Sequence, residues 1–156
     1  MSKIFFDANI LLDILIPNRP NHQKALDVYA KVCDCYDTLA TSENILTTIE
    51  YIASKNGTDC RVIWQFFDRL NKHFELYGFA AILNESLSYY NQACTKNEKI
   101  DFEDLLQLET AIKNGCEAFL TEDKGIVKFN PDINVLTLDD FGERKDAYAT
   151  IDQMSN

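Results

Sequence analysis

Residues 101–123 read DFEDLLQLETAIKNGCEAFLTED, and the order of signals in this stretch decides the fold class. At about 100° per residue, Leu105, Leu108, Ala111 and Ile112 fall on one stripe of a helix predicted over 101–114. Gly115 stops that helix, because the residue just past a helix often takes a left-handed conformation that glycine adopts freely. Glu117-Ala118-Phe119-Leu120 then reads as a short buried strand, and Thr121, Glu122 and Asp123 follow at once. A helix, a tight stop, an apolar strand and a carboxylate just beyond it belong to an α/β chain built on a parallel sheet.

The same alternation extends outward in both directions. Towards the N-terminus the spacing predicts a strand at 3–6, a helix at 10–15, and a second helix at 22–35 entered after Pro17 and Pro20 with Asn21 as cap. A short strand at 38–40 leads to a helix from Ser42, as cap, to Lys55, with Ile45, Leu46, Ile49, Ile52 and Ala53 on one face. Gly57-Thr58 separates it from a helix ending near His73, after which Phe74–Phe79 is strand-like and 84–97 helical. A last strand is expected at 134–138. Strands alternating with helices imply a sandwich of three layers, a central parallel sheet flanked by helices. One domain over 1–145 and a polar C-terminal tail over 146–156 are expected.

Composition narrows the function. The net charge of −10 opposes binding to nucleic acid, whose affinity comes from Lys and Arg neutralising phosphates. The objection weakens if several carboxylates converge on a divalent cation, which then presents positive charge to a phosphate. The five cysteines form no CxxC pair or Cys/His cluster of zinc spacing. The apolar run from Ile4 to Ile16 is interrupted by Asp7, Asn9 and Asp13, which excludes a signal peptide or membrane span and implies a cytoplasmic protein.

Asp7 directly follows the first strand and Asp123 the strand at 117–120. In open parallel sheets ligands bind beyond the carboxyl ends of the strands, so both side chains are expected in one crevice. Capping of the following helix is the plain alternative for either one alone. The helix at 101–114 shifts that balance. Asp104 and Asp101 lie in its apolar stripe, while Glu103, Gln107, Thr110 and Lys113 are expected to face away. First-turn acids are common because the helix dipole favours them, and Asp101 could act as the cap. Two inward carboxylates are better explained by a hard divalent cation held by their oxygens. Glu50 flanks the apolar face of the helix ending at Lys55 and is a weaker candidate.

The segments KIFFDANILLDIL, TSENILTTIEYIASK and DFEDLLQLETAIKNGCEAFLTEDKGI together resemble a PIN domain, from Lys3 to about Phe141. The resemblance implies an acidic ribonuclease site dependent on Mg²⁺ or Mn²⁺. It falls on Asp7, Asp104 and Asp123 as catalytic and metal-binding residues, with Asp101 as an extra acidic position of the branch with a DFED-like motif and Asn9 as a polar neighbour of the first Asp. Many members form the VapC group of toxins, which implies an RNA substrate, an antitoxin partner and a homodimer. The chain departs from the pattern in two places. Thr48 occupies the position where the family usually has Glu, with Glu50 two residues later, and Gly125-Ile126 stands where toxin members often carry Asp-Phe.

The implied chemistry is hydrolysis of RNA phosphodiester bonds assisted by metal, with Asp7, Asp104 and Asp123 as ligands and Glu50 as an accessory. A catalytically weakened PIN-like binding scaffold is the alternative, and Thr48 is the residue that favours it. A haloacid-dehalogenase-like phosphatase fits poorly, since Asn9 stands where a second Asp is required. The segment 55–73 is net positive through Lys55, Arg61, Arg69 and Lys72, and is a candidate grip for phosphates or for an acidic partner.

Overall fold

The computed structural model describes residues 1–129 and 131–141, with the side chain of Lys124 outside the description. The polar tail expected over 146–156, and the domain margin expected at 145, lie outside the described residues. The elements run β1 (Lys3–Phe6), α1 (Ala8–Leu15), α2 (His22–Cys35), β2 (Thr38–Ser42), α3 (Ile45–Lys55), α4 (Cys60–His73), β3 (Phe74–Tyr77), α5 (Leu83–Thr95), α6 (Phe102–Lys113), β4 (Ala118–Leu120) and β5 (Asn134–Leu136). Short 3-10 turns at Ala80–Ile82 and Lys124–Phe129 complete the described chain.

All five strands are parallel, in the order β3-β2-β1-β4-β5. The chain starts in the middle, builds outward through β2 and β3, and then returns to the other side of β1 with β4. That reversal is the topological switch point, the place where such sheets bind ligands.

Alternation along the strands makes the three layers. Ile4, Phe6, Ala118 and Leu120 point to one face, where they pack with Leu11, Val28, Ile49, Ile63 and Leu70 from α1–α4. Phe5, Ala40 and Phe119 point to the other, against Leu108 and Ala111 of α6. Phe5 and Phe119 stack with ring centroids 5.2 Å apart. The central strands β1 and β4 are buried on both faces, which is why they read as apolar runs with no polar alternation.

Several local expectations need correction. Ser42 does not cap α3. It remains in β2, paired in register with Tyr77, and the helix begins only at Ile45 with no side-chain cap from Asn44. Asn21 makes no side-chain cap either. The third strand stops at Tyr77 and the last at Leu136, where Asp140 accepts from the Thr137 amide at 2.7 Å. Gly115 does terminate α6 with φ +75°, and the Cys116 amide turns back to the Ala111 carbonyl at 3.0 Å.

Candidate active site

The first site residue is fixed by the end of β1. The Asp7 amide donates to Leu120 O at 3.0 Å, extending the β1–β4 pairing by one residue, and the chain then turns into α1. Asp7 occupies the N-cap position of that helix, but its side chain caps nothing. It is 1% exposed, and Oδ2 instead accepts from the Thr121 hydroxyl at 2.6 Å. Thr121 also accepts from the Asp123 amide at 2.9 Å, so one buried hydroxyl ties the carboxylate after β1 to the turn after β4. Sequence reasoning used Thr121 only as part of a motif and missed this linking role. Its signal was a small polar residue placed directly after a buried strand.

Asp123 starts the 3-10 turn, and its Oδ1 accepts from the Gly125 amide at 2.7 Å. A Cβ at position 125 would come within 2.8 Å of that same oxygen. Glycine in the departure noted at 125–126 therefore lets the backbone close over the carboxylate.

Asp104 enters from the first turn of α6. Burial, the side-chain hydrogen bond with Asp123, and the charges of Asp7, Asp101 and Asp123 push its carboxyl up to about 8. Near neutral pH it therefore carries a proton and donates it to Asp123. Asp7 is also raised, above all by burial, which outweighs the lowering effect of the Thr121 hydroxyl and the Asn9 and Ala8 amides, while the Asp123 charge adds a little to the rise. The three aspartates thus come together at the switch point, where Asp104 feels both Asp7 and Asp123, and Asp7 feels Asp123.

Asp101 is exposed and serves as N-cap of α6, its Oδ1 accepting from the Asp104 amide at 3.0 Å. The capping role raised from sequence is thus present in the structure. The expected outward face of α6 requires correction: Gln107 and Thr110 are fully buried and Glu103 is partly so. Gln107 Oε1 accepts from the Ala8 amide at 3.0 Å, fastening α6 over the start of α1. The register was misjudged because buried polar residues on a helix that covers a sheet edge do not appear in an apolar stripe. Glu50 is exposed and accepts from Ser54 Oγ at 2.7 Å. Asn9 is exposed.

A cleft of about 230 Å³ opens over this cluster, lined by Lys99, Ile100, Asp101, Asp104, Asp123, Gly125, Lys128 and Phe129. Among the described residues, no three carboxylate, imidazole or thiol groups stand close enough together to hold a metal ion in the arrangement seen. The donor chemistry nevertheless suits a hard divalent cation. It is all oxygen, Asp7 Oδ1 is buried without a hydrogen-bond partner, and a proton on Asp104 supplies the neutralisation that a cation would otherwise give.

A five-stranded parallel sheet with acidic side chains gathered at its switch point defines a nuclease-like class of α/β protein, and comparison with known proteins gives the family. The chain belongs to the PIN domain family, whose model matches residues 3–125, and within it to the VapC ribonucleases. It is 32% identical over 142 residues to Ribonuclease VapC1 of Aquifex aeolicus (strain VF5), covering 91% of this chain and 94% of that protein. Among solved structures, its fold is similar to the Mycobacterium tuberculosis toxin VapC20, which cleaves the sarcin-ricin loop, with TM-score 0.69 and 13% identity over 82% of this chain and 95% of that one. It is also similar to DNA-bound VapBC of Salmonella typhimurium, with TM-score 0.67 and 15% identity over 88% and 99%.

Proposed function

We propose that the chain is a divalent-metal-dependent endoribonuclease acting as the toxin of a toxin–antitoxin pair. The observation that carries this reading is the convergence of Asp7, Asp104 and Asp123 at the switch point, with Asp104 raised to about 8 by burial and then by its acidic neighbours. Asp7, Asp104 and Asp123 would hold Mg²⁺ or Mn²⁺, with Asp101 at the rim of the same cleft. Such a cation would supply Lewis acidity towards water and neutralise charge building on the phosphate.

The chain's own residues set the rest. Thr121 holds Asp7 in one rotamer and fixes the turn that presents Asp123. Asp104 must release its proton before it can act as a ligand, so a cation competes with that proton and metal affinity rises with pH towards about 8. Lys99 and Lys128 line the cleft beside the carboxylates and bind the RNA phosphates on either side of the scissile one. The acids thus serve the reacting phosphate, and the lysines hold the strand.

An antitoxin partner is supported by solved relatives that are toxin–antitoxin complexes, among them VapBC of Salmonella typhimurium and VapBC2 of Rickettsia felis bound to a DNA fragment from their promoter. On this chain the exposed Val62 edges a groove lined by Ile14, Leu15, Leu26 and Phe66, a surface suited to an apolar partner segment. A homodimer and a cytoplasmic location belong to the same reading. No helix among the described residues is long and apolar enough to cross a membrane.

The test is cleavage of a panel of structured and unstructured RNAs with Mn²⁺, with Mg²⁺ and with EDTA. The expected result is metal-dependent cleavage by the natural chain and none by Asp104→Asn. A protein that binds RNA or antitoxin but cuts nothing under any metal is the binding scaffold instead.

A further inference from the structure

Glu103 and Asp104 are adjacent in the first turn of α6, and the fold sends their carboxylates to opposite sides of β1. Asp104 meets Asp123, which follows β4. Glu103 Oε2 accepts from the hydroxyl of Thr48 at 3.0 Å, and Thr48 stands in the first turn of α3, which follows β2. Because β1 lies between β2 and β4, α6 spans the carboxyl end of β1 with one acid over each neighbouring strand. Asp7 follows β1, the strand between those two neighbours.

Three buried polar atoms in this layer are left without a partner. Asp7 Oδ1, Ser42 Oγ and Gln107 Nε2 have no hydrogen-bond partner, although Asp7, Ser42 and Gln107 are each 1% exposed or less. They come from three elements that meet here. Ser42 ends β2 and, two residues after Ala40, faces the α6 side of the sheet. Gln107 lies one turn behind Glu103 and is pinned to the Ala8 amide next to Asp7. Buried side chains of this kind are nearly always partnered, and exceptions cluster where an ion or its water shell belongs.

We propose that Glu103, held in place by Thr48, is the fourth carboxylate of the cation site, and that Glu50 takes no part in it. This rests on the metal-dependent reading of the same site. Glu103 supplies oxygen from the β2 side, directly or through a coordinated water, and Thr48 is a positioning residue that fixes its rotamer. Glu50 is exposed and engaged with Ser54 on α3's own surface.

The test is Mn²⁺ binding to the full chain, by calorimetry and by the EPR signal of free Mn²⁺, with the fold of each variant checked by circular dichroism. Glu103→Gln, nearly isosteric, should weaken binding about tenfold or more, and Thr48→Val severalfold. Glu50→Gln should bind as the natural chain does. Because Thr48 and Glu103 touch, a carboxylate moved across the contact in the double variant Thr48→Glu/Glu103→Gln should recover most of the affinity. Unchanged binding by Glu103→Gln, with binding lost in Asp104→Asn, would overturn this proposal and leave the metal-dependent reading standing. Unchanged binding in both variants would overturn the two together.

Discussion

A carboxyl pushed to about 8 makes Asp104 the residue at which function opposes stability. Folding raises it from an ordinary value of 3.8, so the folded chain keeps a proton that the unfolded chain releases over that interval. Stability from this group is therefore greatest below about 3.8, declines as pH rises towards about 8, and declines no further beyond it. The metal-free protein should melt at progressively lower temperature between pH 5 and pH 8. Asp104→Asn, which cannot ionise, should show a flatter dependence and a higher Tm than the natural chain at pH 8. Thermal denaturation in EDTA across that range is the measurement, and parallel slopes for the two proteins would remove Asp104 as the cause. Divalent metal should reverse the trend for the natural chain, since ligation requires the ionised form that high pH favours.

At the scale of elements, α6 performs three jobs that its sequence states with unequal clarity. Its apolar stripe and glycine stop were legible because burial against a sheet demands a helical period and the chain reversal demands a positive φ. Its acidic first turn was legible as a site, because Asp104 had to be explained on an inward face. Its polar inner face was not legible, since Glu103 and the Gln107 side-chain carbonyl find partners in Thr48 and the Ala8 amide, which lie 55 and 99 residues away in the chain. Likewise Ser42 looked like a helix cap until its pairing with Tyr77 on β3 kept it in the strand. The double role suggested for Asp101 can be separated by experiment. Asp101→Ala removes the acceptor for the Asp104 amide and should cost about 1 kcal/mol, read as a lower denaturation midpoint, whereas Asp101→Asn should keep most of that stability. Mn²⁺ affinity should fall far less in either variant than in Asp104→Asn. An equal fall would make Asp101 a ligand in its own right.

For the whole molecule, a net charge of −10 has to be reconciled with an RNA substrate, and the fold places cations where they can act. The positive segment at 55–73 is poorly sited for the reacting phosphate. Lys72 pairs with Asp68 at 2.6 Å, and Lys55 lies over the Tyr51 ring. Arg69 lines an apolar groove with Leu11, Tyr29 and Phe74. Lys72 and His73 end α4 immediately before β3 begins, so in a parallel sheet they stand at the edge opposite Asp7 and Asp123. Lys99 and Lys128 instead share the acidic cleft, are exposed, and are in no ion pair among the described residues. Long-range repulsion from the acidic surface is screened beyond roughly 10 Å at moderate salt, so on the proposed reading these two nearby charges would decide how a strand is held. Lys99→Ala and Lys128→Ala should each raise KM for RNA severalfold with a smaller change in kcat, while Arg61→Ala and Lys72→Ala leave KM unchanged. Each lysine lost should also flatten the dependence of log affinity on log salt by about 0.7, the share of one phosphate contact on a single strand. Steady-state cleavage over a salt series reads both quantities. If the α4 variants raise KM and flatten the salt slope while the two cleft lysines do neither, the strand runs over the helical face and the cleft does not hold it.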